Sequence, residues 1–455
     1  MIVVTTNHNH GNRPKFHPKI ILPASFLTRK HHALTRDLYD LAMKLAVIGL
    51  GKLGLPLAAL LANSGNKVVG FDLSTSLRDS IASGTFRSNE PNLEEILKNS
   101  RGNLEIATNI EEAVRECSIV FIIVPTPSQK SGHFSNQFVV EVLKAIGNAI
   151  KLKETPTAVD IVSTVMPGSC DGELKSVLEE ASGKKLGSEL GLCYNPEFIA
   201  LGSVIKDMSE PDMHLVGASH EWAGDEVEKA LNSMVTKPVP CRRMSLIEAE
   251  LVKISVNNFV TMKISFANSL MQIASKLGDL NIDVVTEAIG LDSRVGNKYL
   301  KAAVPYGGPC FPRDTRALSA LYRDFSVGDS LPLATEALNI SHLDFLADLV
   351  IAGREATTVI GIIGLSYKTG TPVIDESPGV NLAEKLVDRG FTVFSWDDEG
   401  AKPGLESGIT SVESLKELIS TTDLLVISRP QVNWNEVKKE LDASGKTYID
   451  FWRQT

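Results

Sequence analysis

A chain of 455 residues is long enough for two or three separate cores. Its 43% apolar and 22% charged residues exclude a disordered or fibrous protein, and a formal net charge of -9 repels polyanions, which argues against nucleic acid as a partner. A small phosphate-bearing ligand stays open, because local amides and lysines bind one whatever the net charge. The five cysteines, Cys117, Cys170, Cys193, Cys241 and Cys310, are scattered, odd in number and without a CxxC pair. They predict neither a disulfide framework nor a metal site, and a reducing, cytoplasmic setting suits them. The most apolar stretch, Leu53 to Ala62, is too short to span a bilayer and follows Lys52, so no membrane partner is expected. The start lacks the basic-then-apolar order of a secretory signal.

Residues 1–42 hold five of the nine histidines at irregular spacing and read as a weakly ordered extension, or as an upstream start ahead of Met43. From Lys44 the run KLAVIGL, aliphatic and β-branched, predicts a buried parallel strand. LPLAALLANSG predicts an apolar helix ending at Gly65, and KVVGFD a second strand, completing a βαβ unit. SIVFIIVPTP, AVDIVSTV and LGLCYNPEF predict further strands with helical stretches between them, so a doubly wound parallel sheet is expected over residues 44–237. From Ser245 to Leu277 there is no proline and no internal glycine, and apolar residues recur at helical spacing; one long helix is predicted within a helical region 238–350. TVIGIIGLSYK repeats the strand-then-glycine opening, and FTVFSWD, DLLVISR and YIDF predict the strands that follow. The fold class expected is α/β: two Rossmann-like doubly wound domains, 44–237 and 351–455, joined by a helical region with one long central helix.

Six motifs carry chemistry. Gly49-x-Gly51-x-x-Gly54 lies between a strand and a helix and encloses Lys52 and Leu53. Its glycines allow a tight turn and close approach to a pyrophosphate, whose charge meets the helix N-terminus. Asp72 ends the next strand roughly 20 residues on, where an acid binds a ribose diol and repels a 2′-phosphate, so NAD is expected rather than NADP. Val124-Pro125-Thr126-Pro127 ends another strand, either as a ligand-facing loop or as a rigid turn only. In Ser163-Thr164-Val165-Met166-Pro167-Gly168 the Thr164 hydroxyl orients a reacting oxygen or caps a helix, and spacing does not separate the two. Glu197, in Asn195-Pro196-Glu197-Phe198, suits an acid/base role, although composition alone suits a solvated glutamate better. Lys253 and Asn257, four apart, share a helix face and would make an oxyanion clamp, although the pair by itself reads more plainly as an exposed lysine near a capping or core asparagine. The most informative motif is Tyr306-Gly307-Gly308-Pro309-Cys310-Phe311-Pro312-Arg313-Asp314. Its glycines and prolines constrain the chain around one cysteine, Arg313 is expected to favour the thiolate, and Asp314 to accept protons. A buried structural cysteine is the plainer alternative.

In this order and spacing the motifs resemble the UDP-glucose/GDP-mannose dehydrogenase family. The likeness runs from Lys44 to near the C-terminus and includes Arg294-Val295-Gly296-Asn297-Lys298-Tyr299-Leu300 ahead of the cysteine loop. It implies NAD-dependent oxidation of a nucleotide sugar, UDP-glucose by default, at its C6 alcohol to the carboxylate. On matched positions it implies a thiohemiacetal and then a thioester on Cys310, with Lys253 and Asn257 on the oxyanions, Asp314 and Glu197 managing protons and Thr164 holding a water. Around NAD it implies Gly49, Gly51, Lys52, Leu53, Gly54, Asp72, Pro125, Thr126, Thr164 and Arg313. Around the nucleotide sugar it implies Glu197, Phe198, Ile199, Lys253, Asn257, Arg294, Tyr299, Leu300, Tyr306, Gly307, Tyr367 and Lys368. Arg294 matches a residue that reaches the neighbouring subunit's site, so a homodimer or higher homo-oligomer is expected.

The chain departs from the family pattern at several positions. Leu201 stands where a glutamate is usual before Gly202, Arg313 where a lysine is usual, and Met213 where an arginine is usual. Pro372, Val373 and Asp375 replace two acids and an arginine after the Tyr367-Lys368 pair. These changes predict an altered cofactor-side network around intact covalent machinery. Two other readings compete. A two-electron hydroxyacid dehydrogenase would need neither Cys310 nor a second Rossmann-like unit. A non-catalytic nucleotide-sugar-binding paralogue would have no use for Cys310, Lys253, Asn257 and Asp314.

Overall fold

The computed structural model describes residues 42–278 and 280–454; of the extension expected over residues 1–42, all but Ala42 lies outside them. Strands β1 (Lys44–Ile48), β2 (Lys67–Phe71), β3 (Leu104–Ile106), β4 (Ile119–Ile122), β5 (Thr157–Ile161), β6 (Leu190–Tyr194), β7 (His214–Ala218) and β8 (Cys241–Met244) form one sheet, ordered β3-β2-β1-β4-β5-β6-β7-β8. β1, β4, β5 and β6 are buried on both faces, which is why they read as unbroken apolar runs. The winding reverses between β1 and β4, so a crevice opens beyond the carboxyl ends of those strands.

Two features differ from the expectation. β7 runs antiparallel to β6, and the sheet continues past residue 237 through β8. β8 is short, carries Arg242 and Arg243, and lies at the sheet edge, where charge discourages further pairing. Such a strand has no apolar run by which to read it.

Strands β9 (Val359–Ile363), β10 (Thr392–Trp396), β11 (Thr410–Ser411), β12 (Leu424–Ile427) and β13 (Thr447–Asp450) form a second sheet, all parallel, in the order β11-β10-β9-β12-β13. β11 is two residues long and carries no readable pattern.

Between the sheets runs the long helix, Leu246–Leu277. Glu248 accepts the Ser245 amide at 2.9 Å, satisfying a donor at its start, and Gly278 ends it. The cysteine helix, Phe311–Asp324, and a third helix, Ser330–Ile351, pack on it. Ile254, Phe134, Met166, Ala317, Leu318 and Leu321 form one apolar cluster that joins the first unit to the cysteine helix. Burying each large aliphatic there contributes about 1.5–3 kcal/mol. Phe259, Phe266 and Ile273, seven apart, leave a partly exposed apolar stripe along the long helix. Among the described residues no helix is long and apolar enough to cross a membrane.

Candidate active site

Beyond the carboxyl end of β1 lies a cavity of about 630 Å³, lined by Gly49, Gly51, Lys52, Leu53, Asp72 and Pro125 among others. The helix Gly54–Asn63 starts at its edge. Pro56 sits in the first turn, where a missing N–H costs nothing. Asp72 Oδ2 accepts the Leu50 amide at 2.8 Å, and Oδ1 the Ser74 amide at 2.8 Å, which fixes the carboxylate at the cavity rim. No atom lies within 4 Å of where a Cβ on Gly51 would stand, so the backbone there is open to a ligand. Volume, acid and open backbone fit the adenosine and pyrophosphate of NAD. Thr126 is buried instead: its hydroxyl donates to the Thr164 carbonyl at 2.7 Å and braces two strand ends.

The second part of the site centres on the long helix, which grips three loops with one face. Glu250 is fully buried, and its carboxylate accepts the Gly168 and Cys170 amides at 2.6 and 2.8 Å, holding the loop that carries Thr164. Lys253 Nζ donates to the Glu197 carbonyl at 2.6 Å and lies 4.8 Å from the Phe198 ring centroid. Asn257 Nδ2 donates to Asp314 Oδ2 at 2.6 Å, and Asn258 Nδ2 to the Asp314 carbonyl at 2.9 Å. Positions three and seven beyond Glu250 fall on the same side of a helix, so these grips follow from spacing once Lys253 faces the site. Ile199, next to Phe198, packs against the core of the first sheet.

Cys310 is exposed at the start of the cysteine helix, although protein crowds its sulfur. Burial pushes its thiol up, Asp314 adds to the rise, and Lys253 and Arg313 oppose it. As expected, Arg313 favours the thiolate, but burial and Asp314 outweigh its pull. The Arg313 guanidinium lies 4.1 Å from the Phe134 ring centroid and donates to the Thr126 carbonyl at 3.1 Å, tying the cysteine helix to the first unit. Burial lowers Lys253, against the pull of Asp314, Cys310 and Glu197. Glu197 is partly open to the cleft; burial lifts its carboxyl to about 7, with Lys253 pulling it down. Behind it in β5, Asp160 is fully buried, with no hydrogen-bond partner for either oxygen among the described residues. Burial holds its carboxyl well above the usual range, and the charge of Glu197 adds to that.

At the other end the loop after β9 meets both neighbours. A Cβ on Gly308 would stand 2.4 Å from the Tyr367 ring, and one on Gly202 would stand 2.4 Å from the Gly370 carbonyl oxygen. Glycine is required at both close approaches, and both have positive φ. Lys368 is half-buried; burial lowers it, while Asp207 and Glu90 raise it. Beside Leu201, Glu90 accepts the Gly202 amide at 2.9 Å. Tyr306 is buried against Phe311, and Gly307 packs on Glu376 and Pro378. Tyr299 is half exposed with φ +64° and stands edge-on to Phe311. Leu300 differs from the expectation: its side chain is buried with Ala267, Ile282 and Ala302, because an apolar residue here serves the core. Arg294 lies at the surface, paired with Asp292 at 2.6 Å. The long helix thus brings Cys310, Lys253, Asn257, Asp314 and Glu197 together, and leaves Arg294 apart. Glu250, Asn258, Phe134 and Glu90 were missed; only Glu250, three before Lys253, carried a sequence signal.

Residues 43–235 match the family described as UDP-glucose/GDP-mannose dehydrogenase family, NAD binding domain, which makes this chain an NAD-dependent dehydrogenase with NAD as its cofactor. Residues 247–341 match that family's central domain and residues 361–454 its UDP binding domain. The chain belongs to the UDP-glucose/GDP-mannose dehydrogenase family, whose members are NAD-dependent nucleotide-sugar 6-dehydrogenases. It is 31% identical over 430 residues to the GDP-mannose 6-dehydrogenase of Pseudomonas aeruginosa, spanning 90% of this chain and 96% of that one. It is 29% identical over 409 residues to a UDP-glucose 6-dehydrogenase of Haloferax volcanii, spanning 88% and 94%. The solved UDP-glucose dehydrogenase of Pyrobaculum islandicum superposes with a TM-score of 0.83 at 31% identity, over 92% of this chain and 96% of that one.

Proposed function

We propose that this chain oxidises the C6 alcohol of UDP-glucose to the carboxylate, in two hydride transfers linked by a covalent adduct on Cys310. The observation that carries this reading is the gathering of charge around one lysine: the ammonium of Lys253 feels Asp314, Cys310 and Glu197 together. NAD, when bound, supplies the hydride acceptor, a fresh molecule for each of the two transfers. Glu197, at about 7, is matched to take the alcohol proton at neutral pH. Lys253 and Asn257 turn from their resting partners to the substrate oxygen as it gains charge. Once the aldehyde has formed, the Cys310 sulfur bonds to its carbon, the thiol proton passes to Asp314, and Glu197 returns to the oxygen the proton it took from the alcohol. The adduct is again a carbinol, and loss of the second hydride leaves a thioester. A water held by Thr164 adds to that carbonyl, the carbon–sulfur bond breaks, and the thiol is restored. One alcohol and one water become one carboxylate, two hydrides and three protons.

The likeness to the Pyrobaculum enzyme over nearly the whole chain supports UDP-glucose. The full-length likeness to the Pseudomonas enzyme favours GDP-mannose as the second reading. Counting NADH against a limiting panel of nucleotide sugars tests both: about two NADH per sugar is expected, from one sugar only. One NADH per sugar would mean a two-electron dehydrogenase, and none with binding intact a non-catalytic protein. Cys310→Ser is expected to stop acid formation; acid at the wild-type rate would overturn the thioester route. Across pH, kcat/KM is expected to rise through about 7 as Glu197 loses its proton, and Glu197→Gln to flatten that limb. An unchanged limb in the Gln variant would remove Glu197 as the base.

A further inference from the structure

In a doubly wound sheet the ligand crevice lies where the strand order reverses. In the second sheet that point is between β9 and β12, beside Gly364 and Arg429. Arg429 is 2% exposed, a rare environment for a guanidinium. Its stem covers Gly364: a Cβ there would lie 2.6 Å from Arg429 Cγ. Its guanidinium donates to Asp398, to the Pro430 carbonyl at 2.9 Å, and toward Asp397 Oδ2 at 3.4 Å. Asp397 Oδ2 in turn accepts the Leu365 and Ser366 amides, at 2.5 and 2.8 Å. The next two residues are Tyr367 and Lys368. Thr369 donates to the Pro430 carbonyl at 3.0 Å and closes the far side of the loop.

We propose that Arg429 is a positioning residue for the nucleotide-sugar end of the site: it fills the crevice a ligand would otherwise enter and, through Asp397, presets the loop that presents Tyr367 and Lys368. A buried carboxylate holding two loop amides needs a counter-charge, and Arg429 is that charge. A loop set before the ligand arrives avoids the cost of ordering on binding. The inference rests on the reading that Tyr367 and Lys368 contact the nucleotide sugar. Arg429 itself touches neither the cysteine nor the NAD crevice, so its removal acts on one substrate only.

The test is steady-state kinetics of the full chain with UDP-glucose, or GDP-mannose if the panel selects it. Arg429→Met and Arg429→Lys are compared with Lys368→Ala. Arg429→Met is expected to raise KM for the nucleotide sugar about ten-fold, with kcat and KM for NAD within about two-fold, and Arg429→Lys to recover part of the loss. Faster amide hydrogen exchange confined to residues 364–371 is expected alongside. If Lys368→Ala leaves KM unchanged, the reading of this end of the site fails. If Lys368→Ala raises KM and neither Arg429 variant does, the positioning role is overturned. A fall in kcat together with a rise in KM for NAD would also overturn it, as general damage. Should Arg429→Met not fold, the KM of Arg429→Lys decides, a shift supporting the role and none refuting it.

Discussion

In the first sheet Leu50 donates to Asp72 across 2.8 Å, and in the second Leu365 donates to Asp397 across 2.5 Å. Gly49 and Gly364 precede those residues with φ of +95° and +93°, and each donates to the last residue of the neighbouring strand, Phe71 or Trp396. The two turns are built alike, yet one opens and the other is sealed. Asp72 faces a cavity of about 630 Å³, whereas Asp397 is buried and backed by Arg429. The winding supplies a crevice, and the side chains around it decide whether a ligand enters.

Substitutions at paired positions sharpen the comparison. The largest effect is expected from Gly49→Ala: its Cβ would fall 2.1 Å from the Ile123 carbonyl oxygen in a left-handed backbone. The first unit should unfold in thermal melts and NADH formation should vanish. Gly51→Ala meets nothing within 4 Å, so the melting temperature should hold while KM for NAD rises about ten-fold. Unchanged NAD kinetics in that variant would mean the crevice does not cradle the pyrophosphate.

The buried acids form the second pair. Asp397→Asn weakens the hold on two amides and leaves Arg429 paired with Asp398 alone, so a loss of about 1–3 kcal/mol is expected in denaturant unfolding. Asp160 has no hydrogen-bond partner to lose among the described residues. Its raised pKa means that the folded protein keeps a proton which the unfolded chain releases, so stability falls as pH rises above the ordinary aspartate range. Asp160→Asn should therefore raise the melting temperature by a few degrees, about 1 kcal/mol, at pH 8 and much less at pH 4, with kinetics unchanged. An equal gain at both pH values would show that the effect does not come from the proton.

Much of the fold was legible because its signals are local. β1, the glycine turn and Asp72 lie within one βαβ stretch, and the long helix declares itself by the lack of proline and internal glycine. Edge strands β8 and β11 were not legible, since a short polar or two-residue strand carries no burial pattern. Lys253 and Asn257 could be put on one helix face from spacing, and Cys310 stood out by its glycines, prolines and charges. Their partners could not be read, because Glu197 and Asp314 lie 56 and 57 positions away along the chain. The net balance on the Cys310 thiol was not legible either. Proximity along the chain shows that Arg313 and Asp314 are both near, but only packing reveals the burial that tips the balance.

By itself the sequence determined the alternation of strands and helices and the dinucleotide turn, and it singled out one candidate cysteine, all by periodicity and nearest neighbours. The tertiary structure alone decided which crevice is open, which carboxylates are paired and which are stranded. Those outcomes depend on desolvation and on charges brought together across sheets, and neither is encoded at any one position.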